Sequence, residues 1–134
     1  MSLFASIPLL IVVVIFYFVL EIIAPGASGK VMMALDLPSG SHMELRGGDL
    51  LVGLGLVLLY GEILKSTRTS VASVVDHMTS MGLFVICLVL FIVWGKAGTG
   101  TFFLITLMTL IDVVAGFTVT ISAARRDVDV ATLH

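Results

Sequence analysis

Charged side chains are scarce in this sequence. Asp, Glu, Lys and Arg make up 12% of the 134 residues, about half the share that is usual in soluble domains. Apolar residues make up 59%, and the mean hydropathy is +1.21. A water-soluble domain of this length leaves much of its chain at the surface and has no place to hide so many apolar side chains. The composition therefore predicts one domain, residues 1–134, that is an integral membrane protein.

Several features that mark other classes of protein are also missing. The one cysteine, Cys87, excludes an internal disulfide, and no basic run is long enough to suggest nucleic acid. His42, His77 and His134 lack metal-ligand spacing. The segment GKAGTGT, residues 95–101, lacks the order of residues in a phosphate-binding loop and is interpreted as a turn. We therefore predict no cofactor, no metal and no enzymatic activity.

Long apolar runs are what the sequence has instead. A transmembrane helix needs about 20 mostly apolar residues. Four runs approach that length, at residues 3–23, 49–65, 71–95 and 99–124. The first has no basic region before it and is about the length of a full span, so we expect a span and not a signal peptide. The fold class predicted is an all-α membrane protein, a bundle of four transmembrane helices.

Residues 30–46, between the first two spans, show a different pattern. Apolar side chains alternate with others at a period of two, which is typical of a strand. The apolar face consists of Val31, Met33, Leu35, Leu37, Met43 and Leu45. Pro38 suits the second position of a type I turn, with Gly40 at the fourth. We predict a short extracytoplasmic β-hairpin on the membrane surface; the alternative is an irregular loop.

The basic residues of the short loops indicate orientation, because Lys and Arg are more frequent on the cytoplasmic side. One side holds Lys65, Arg68, Arg125 and Arg126, and the other holds Lys30, Arg46 and Lys96. Four against three favours cytoplasmic termini and a hairpin on the outer side.

Asp112 is the acid that lies deepest in a predicted span. Its helical neighbours include Thr109, Ala115 and Gly116, a small and hydroxylated face of the kind that packs against other helices. A central Asp costs about 2.5–3.5 kcal/mol on insertion scales, so something should offset it. The residues expected at the same depth are Val13, Leu56 and Cys87. None is basic, so we expect no salt bridge to Asp112 within the chain.

Three explanations for Asp112 stay open. The carboxyl group is protonated, or it accepts hydrogen bonds from hydroxyl groups such as those of Thr109 or Tyr17. Otherwise its partner belongs to another chain, a ligand or an ion. An acid inside a membrane is by default a candidate functional residue, and the structural alternative is a neutral acid that joins two helices.

The second span contains three further candidates. Glu62 lies three residues before Lys65, about one turn inside the cytoplasmic interface, and we expect it to reach the surface or to pair with Arg125 or Arg126. Asp49 begins the span and suits a helix cap. Asp49 and Tyr60 fall near one helical face, and Glu62 falls on the opposite face. The candidate functional residues are Asp112, Glu62, Asp49, Tyr60 and Thr109.

Asp76 and His77 are adjacent and suggest a catalytic pair. Sequential neighbours on a helix do not face each other, so we place both near the cytoplasmic surface without a joint role.

Four segments resemble one group of proteins. They are GDLLVGLGLVLLYGEILKSTRTS, VVDHMTSMGLF, TFFLITLMTLIDVVAGFTVTI and ARRD, within residues 48–127. Together they resemble a group of short, uncharacterised four-span proteins of bacterial inner membranes. The resemblance implies four spans and a bacterial inner membrane; it implies no activity and no residue role.

Two functions fit these features. The first is a non-catalytic accessory, scaffold or assembly subunit that acts by helix packing, in a homo-oligomer or a larger membrane complex. The alternative is a homo-oligomeric transporter or channel, coupled to protons or cations through Asp112. Four spans are few for a pathway within one copy, so the alternative requires oligomers. The expected partners are the lipid bilayer and other membrane proteins.

Overall fold

The computed structural model describes residues 7–67 and 71–132. In that part of the chain, four α-helices and one β-hairpin follow in the expected order. The helices are α1, Leu10–Ile23; α2, Gly47–Ser66; α3, Val71–Val93; and α4, Gly100–Thr132. The strands are β1, Val31–Asp36, and β2, His42–Arg46, and short 3-10 turns lie at Ala27–Gly29 and Gly95–Ala97. The prediction of a mostly helical chain with one hairpin is confirmed.

Three of these helices are long and apolar enough to cross a membrane: α2, residues 74–93 of α3, and α4. The described helix α1 has 14 residues, fewer than a span needs. Its expected start, at residue 3, lies outside the described residues. Within them, the helix begins only at Leu10, because Pro8 disfavours a helical backbone at the residue before it.

Helix α4 continues to Thr132, beyond the predicted end at residue 124. The apolar run ends where predicted, but the charged residues that follow include no proline or glycine to stop the helix. The final turns, from Arg125 onwards, are exposed. Hydropathy therefore located the apolar part of this helix and missed its polar extension.

Helix α4 holds the described helices together, because it packs along both α2 and α3 and also contacts α1. The buried stripe of α2 consists of Leu51, Gly55, Leu59 and Glu62. At Gly55 the helices approach so closely that a Cβ atom would lie 2.6 Å from Sδ of Met108. The opposite face of α2, with Gly53 and Tyr60, is exposed. Of the two faces of α2, the one that contains Glu62 is thus the one that packs within the described residues.

The strands of the hairpin are antiparallel. Met33 lies opposite Leu45, and Leu35 lies opposite Met43, so these four residues form the predicted apolar face, whereas Val31 lies opposite Arg46 and was wrongly assigned to it. A β-bulge between Val31 and Met33 shifts the pairing of the two strands at the end of the hairpin that lies next to the helices.

The turn of the hairpin also follows the sequence prediction. The backbone N–H of Gly40 donates to the carbonyl of Leu37 at 2.9 Å, which places Pro38 at the second position of the turn. Gly40 has φ +88°, a conformation that glycine adopts without a steric penalty. Local chemistry therefore fixes both the turn and the strand register.

The hairpin end of the helices has its own buried polar contacts. The hydroxyl group of Tyr17 donates to the carbonyl of Lys96 at 2.7 Å and lies 2.8 Å from Oγ1 of Thr99. The carboxylate of Glu21 accepts hydrogen bonds from the backbone N–H groups of Gly26 and Ser28, at 3.0 and 3.2 Å. These contacts join α1 to the connection before the hairpin and to the connection before α4.

Candidate functional site

A second set of buried polar side chains lies at the opposite end of the helices from the hairpin. It contains Glu62 and Lys65 of α2, Asp76 and Ser80 of α3, and Asp112 of α4. We call these five residues the ionic cluster. Its three acids are buried, with Glu62 0%, Asp76 3% and Asp112 4% exposed. Carboxyl groups are almost never this deeply buried unless they are paired.

Lys65 lies at the centre of the ionic cluster. Its Nζ donates to Oε1 of Glu62 at 3.3 Å, to Oδ1 of Asp76 at 3.2 Å and to the carbonyl oxygen of Ile7 at 2.7 Å. An ammonium group has three N–H donors, so all of them are engaged. Lys65 thereby joins α2, α3 and the segment that leads into α1.

Glu62 is held from two sides. Its Oε1 accepts hydrogen bonds from Lys65 and from the backbone N–H of Leu9. The other oxygen, Oε2, is buried and has no hydrogen-bond partner among the described residues. The expectation that Glu62 reaches the surface or pairs with Arg125 or Arg126 is wrong. Lys65 is one turn away on the same helix, whereas both arginines are exposed on the polar extension of α4.

Asp112 lies close to Ser80 of α3, one helical turn from the contact between Gly116 and His77. None of the ion pairs within the described residues includes Asp112. The hydroxyl oxygen of Ser80 is buried and makes no hydrogen bond of ordinary geometry there. The expected absence of a salt bridge to Asp112 thus holds for the described residues.

The depth assigned to Asp112 from the sequence was wrong by at least one helical turn. Met108, one turn away, contacts Gly55, and Gly55 lies next to Val13. In the other direction, a Cβ atom on Gly116 would lie 2.6 Å from Nδ1 of His77. Asp112 is therefore level with the N-terminal half of α3. Estimating depth from the sequence required the assumption that the midpoints of all spans lie at the same level. In the structure, α3 is displaced along α4 from that assumed alignment, because Gly116 lies beside His77.

The two hydroxyl donors that the sequence offered to Asp112 have other acceptors. Oγ1 of Thr109 donates to the carbonyl oxygen of Thr106 at 2.6 Å, because a threonine hydroxyl on a helix readily bonds to its own preceding turn. Tyr17 is hydrogen-bonded at the hairpin end. The explanation that either hydroxyl stabilises Asp112 is therefore wrong.

The remaining candidates lie outside the ionic cluster. Oδ2 of Asp49 accepts the backbone N–H of Arg46 at 2.9 Å, which is a contact at the start of α2. Tyr60 is exposed on the outer face of the same helix. The structure thus brings together two of the five candidates, Glu62 and Asp112.

Lys65, Asp76 and Ser80 were not predicted from the sequence as members of this site. Lys65 served to infer orientation and the depth of Glu62, and Asp76 was placed near the surface. The signal was spacing: Glu62 and Lys65 are three residues apart, and Asp76 and Ser80 are four apart, so each pair shares a helical face. The ion pair of Lys65 with Asp76 joins those two faces.

The arrangement has more acceptors than donors. Two of the three buried carboxyl groups, those of Glu62 and Asp76, share one ammonium group, whose N–H groups are all engaged. Within residues 7–67 and 71–132, no group of three or more His, Cys, Asp or Glu side chains is placed to hold a metal ion. Chemically, such a set of oxygens can bind and release protons.

No family model matches the chain, and no curated protein or solved structure was found that matches it. The fold and the site therefore define a class by their own features: a mostly helical chain with three helices of membrane-spanning length and a buried ionic cluster. The resemblance to four-span bacterial proteins stays a prediction.

Proposed function

We propose that this chain is a small multi-pass protein of a bacterial inner membrane, and that it acts as a non-catalytic accessory or assembly subunit. Its three long apolar helices support membrane placement, because their outward side chains are apolar and exposed. In this arrangement the hairpin lies outside the cytoplasm and both termini lie inside, as the loop charges favour.

The exposed apolar face of the hairpin carries the proposal. Met33, Leu35 and Met43 are 50%, 44% and 40% exposed. A two-stranded hairpin alone is at best marginally stable, so an uncovered apolar face favours an additional contact. The occupant proposed is another membrane protein, because an assembly subunit needs a partner-specific surface outside the lipid-facing helices.

Removing the apolar face should release the partner. We expect the wild-type chain to co-purify with one membrane protein in a fixed ratio from a mild detergent. The double variant Leu35→Ser with Met43→Ser should lose most of that protein, because the cross-strand pair supplies the contact. Glu44→Gln, on the opposite face of the same strand as Met43, should retain it.

Cross-linking in native membranes separates the possible occupants. A photoreactive group at position 35 should form an adduct with that same protein. An adduct formed only with lipid, or a wild-type chain that purifies without a stoichiometric protein, would reject the accessory role and favour a hairpin that lies on the membrane.

The ionic cluster favours a second candidate, a homo-oligomeric transporter or channel coupled to protons or cations. Asp112 is buried, has no ion pair within the described residues and lies among other titratable groups. Acids of this kind inside membranes mark ion and proton pathways.

Flux through the purified protein tests this second candidate. In liposomes that contain a pH-sensitive dye, we expect wild-type protein to dissipate a pH gradient and Asp112→Asn to lose most of that flux. Asp49→Asn should match the wild type, because Asp49 lies exposed at the other end of α2. Equal, background flux in all three proteins would reject the transport function and leave the accessory role.

A further inference from the structure

We propose that the groove between α3 and α4 binds a phospholipid whose headgroup carries both a phosphate and a primary ammonium group. One acyl chain lies in the groove, and the headgroup contacts Arg125 and Asp129 of α4. The inference rests on the membrane placement proposed above, and it holds for either candidate function.

The groove runs along the two helices beside the contact of Gly116 with His77, and its volume is about 210 Å³. Each helix contributes residues at helical spacing, so each wall is one continuous stripe. The stripes consist of Val74, Met78 and Met81 from α3 and of Val113, Phe117 and Thr120 from α4. An elongated and mostly apolar groove of this kind suits a hydrocarbon chain.

The polar groups of the lining offer little to water. Oγ1 of Thr120 donates to the carbonyl oxygen of Gly116 at 2.8 Å, so its one proton is engaged within α4. His77 is the second polar residue among the described lining, and its imidazole lies against the backbone of Gly116. A buried water needs two to four polar partners. The groove therefore favours an apolar occupant over water.

The same side of α4 continues to a charged end. A second concave surface begins at Ile121 and includes Arg125 and Asp129. At 1.5 Å per residue, Arg125 lies about 18 Å along the helix axis from Val113. One leaflet of hydrocarbon is about 15 Å thick, half of the core of a bilayer. A phospholipid whose acyl chain reaches Val113 therefore places its phosphate near Arg125.

The order of the two charges matches the headgroup. Arg125 and Asp129 are exposed, and none of the ion pairs within the described residues includes either of them. Arg125 is nearer the apolar part of α4, and Asp129 lies about one turn further towards water. A guanidinium group matches a phosphate with two hydrogen bonds, and a carboxylate accepts from an ammonium group. In phosphatidylethanolamine the phosphate likewise lies next to the glycerol, and the ammonium group lies beyond it.

Native mass spectrometry of the full chain from a mild detergent tests the headgroup contacts. The protein is titrated with phosphatidylethanolamine, phosphatidylcholine or phosphatidylglycerol of identical acyl chains. We expect phosphatidylethanolamine to bind about threefold to fivefold more tightly than the other two, the size of one exposed ion pair. Asp129→Asn should remove this preference, and Arg125→Gln should weaken the binding of all three lipids. Arg126→Gln is the matched control and should bind as the wild type does, because Arg126 does not line the charged surface.

Filling the groove tests the position of the acyl chain. Met81→Trp should weaken the binding of phosphatidylethanolamine several-fold, because the indole ring takes the place of the chain. Ile86→Trp makes a comparable change at another exposed residue of α3, away from the groove stripe, and should bind as the wild type does. Circular dichroism and gel filtration establish that each variant is folded.

The outcomes are separable. Equal affinity of the wild type for the three lipids would overturn the inference, and so would a Met81→Trp protein that binds as tightly as Ile86→Trp. A chain that does not sediment with native membranes would reject the membrane placement itself. A chain that sediments with membranes but shows no headgroup preference would reject only the lipid site.

Discussion

Lys65→Met should destabilise the protein by about 3–5 kcal/mol, the range found when one partner of a buried ion pair is removed. Glu62 and Asp76 would keep their burial and lose their cation. The backbone carbonyl of Ile7 would lose its donor as well, which loosens the segment that leads into α1. The free energy of unfolding, measured by denaturant titration in detergent micelles, gives this quantity directly.

A matched control and a rescue decide whether the loss arises from the cluster. Lys30→Met removes an exposed lysine and should change the free energy of unfolding by less than about 0.5 kcal/mol. Adding Glu62→Gln and Asp76→Asn to Lys65→Met removes the unpaired charges and should recover much of the loss. A Lys65→Met protein as stable as Lys30→Met would show that the cluster contributes nothing.

The features that the sequence predicted well are those that depend on nearby residues. The hairpin follows from a period of two and from the turn chemistry of Pro38 and Gly40, all within residues 30–46. The positions of the helices follow from apolar runs. Their ends were less accurate, because helix α4 continues through charged residues that hydropathy does not recognise.

The ionic cluster depends on distant residues, and the sequence predicted it only in part. The buried face around Asp112 was recognised from its small neighbours. The side chains around Asp112 depend on how α3 and α4 are aligned along each other. Close contacts, such as that of Gly116 with His77, determine this alignment. The partner of Glu62 was misassigned because proximity of Arg125 was inferred from helix ends, whereas Lys65 lies on the same helical face. Spacing within a helix was therefore a better guide than estimated depth.

Phe102→Ala should destabilise the protein by about 3–5 kcal/mol, as expected when a fully buried aromatic side chain is truncated. The ring of Phe102 is 0% exposed and packs 5.0 Å, centroid to centroid, from the ring of Tyr17. In a membrane, lipid is as apolar as the protein interior, so helix association depends on packing rather than on escape from water. The cavity left by Phe102 removes that packing between α4 and α1.

The neighbouring Phe103 provides the control, since it has the same side chain on the same turn of α4 but is 46% exposed. Phe103→Ala should lose less than half as much free energy of unfolding in detergent, because lipid or detergent replaces its contacts. Equal losses for the two variants would mean that the contact of Phe103 with Phe91 of α3 contributes as much as the packing of Phe102 against Tyr17 of α1. The pair therefore measures how much more the buried face of α4 contributes to stability than its exposed face.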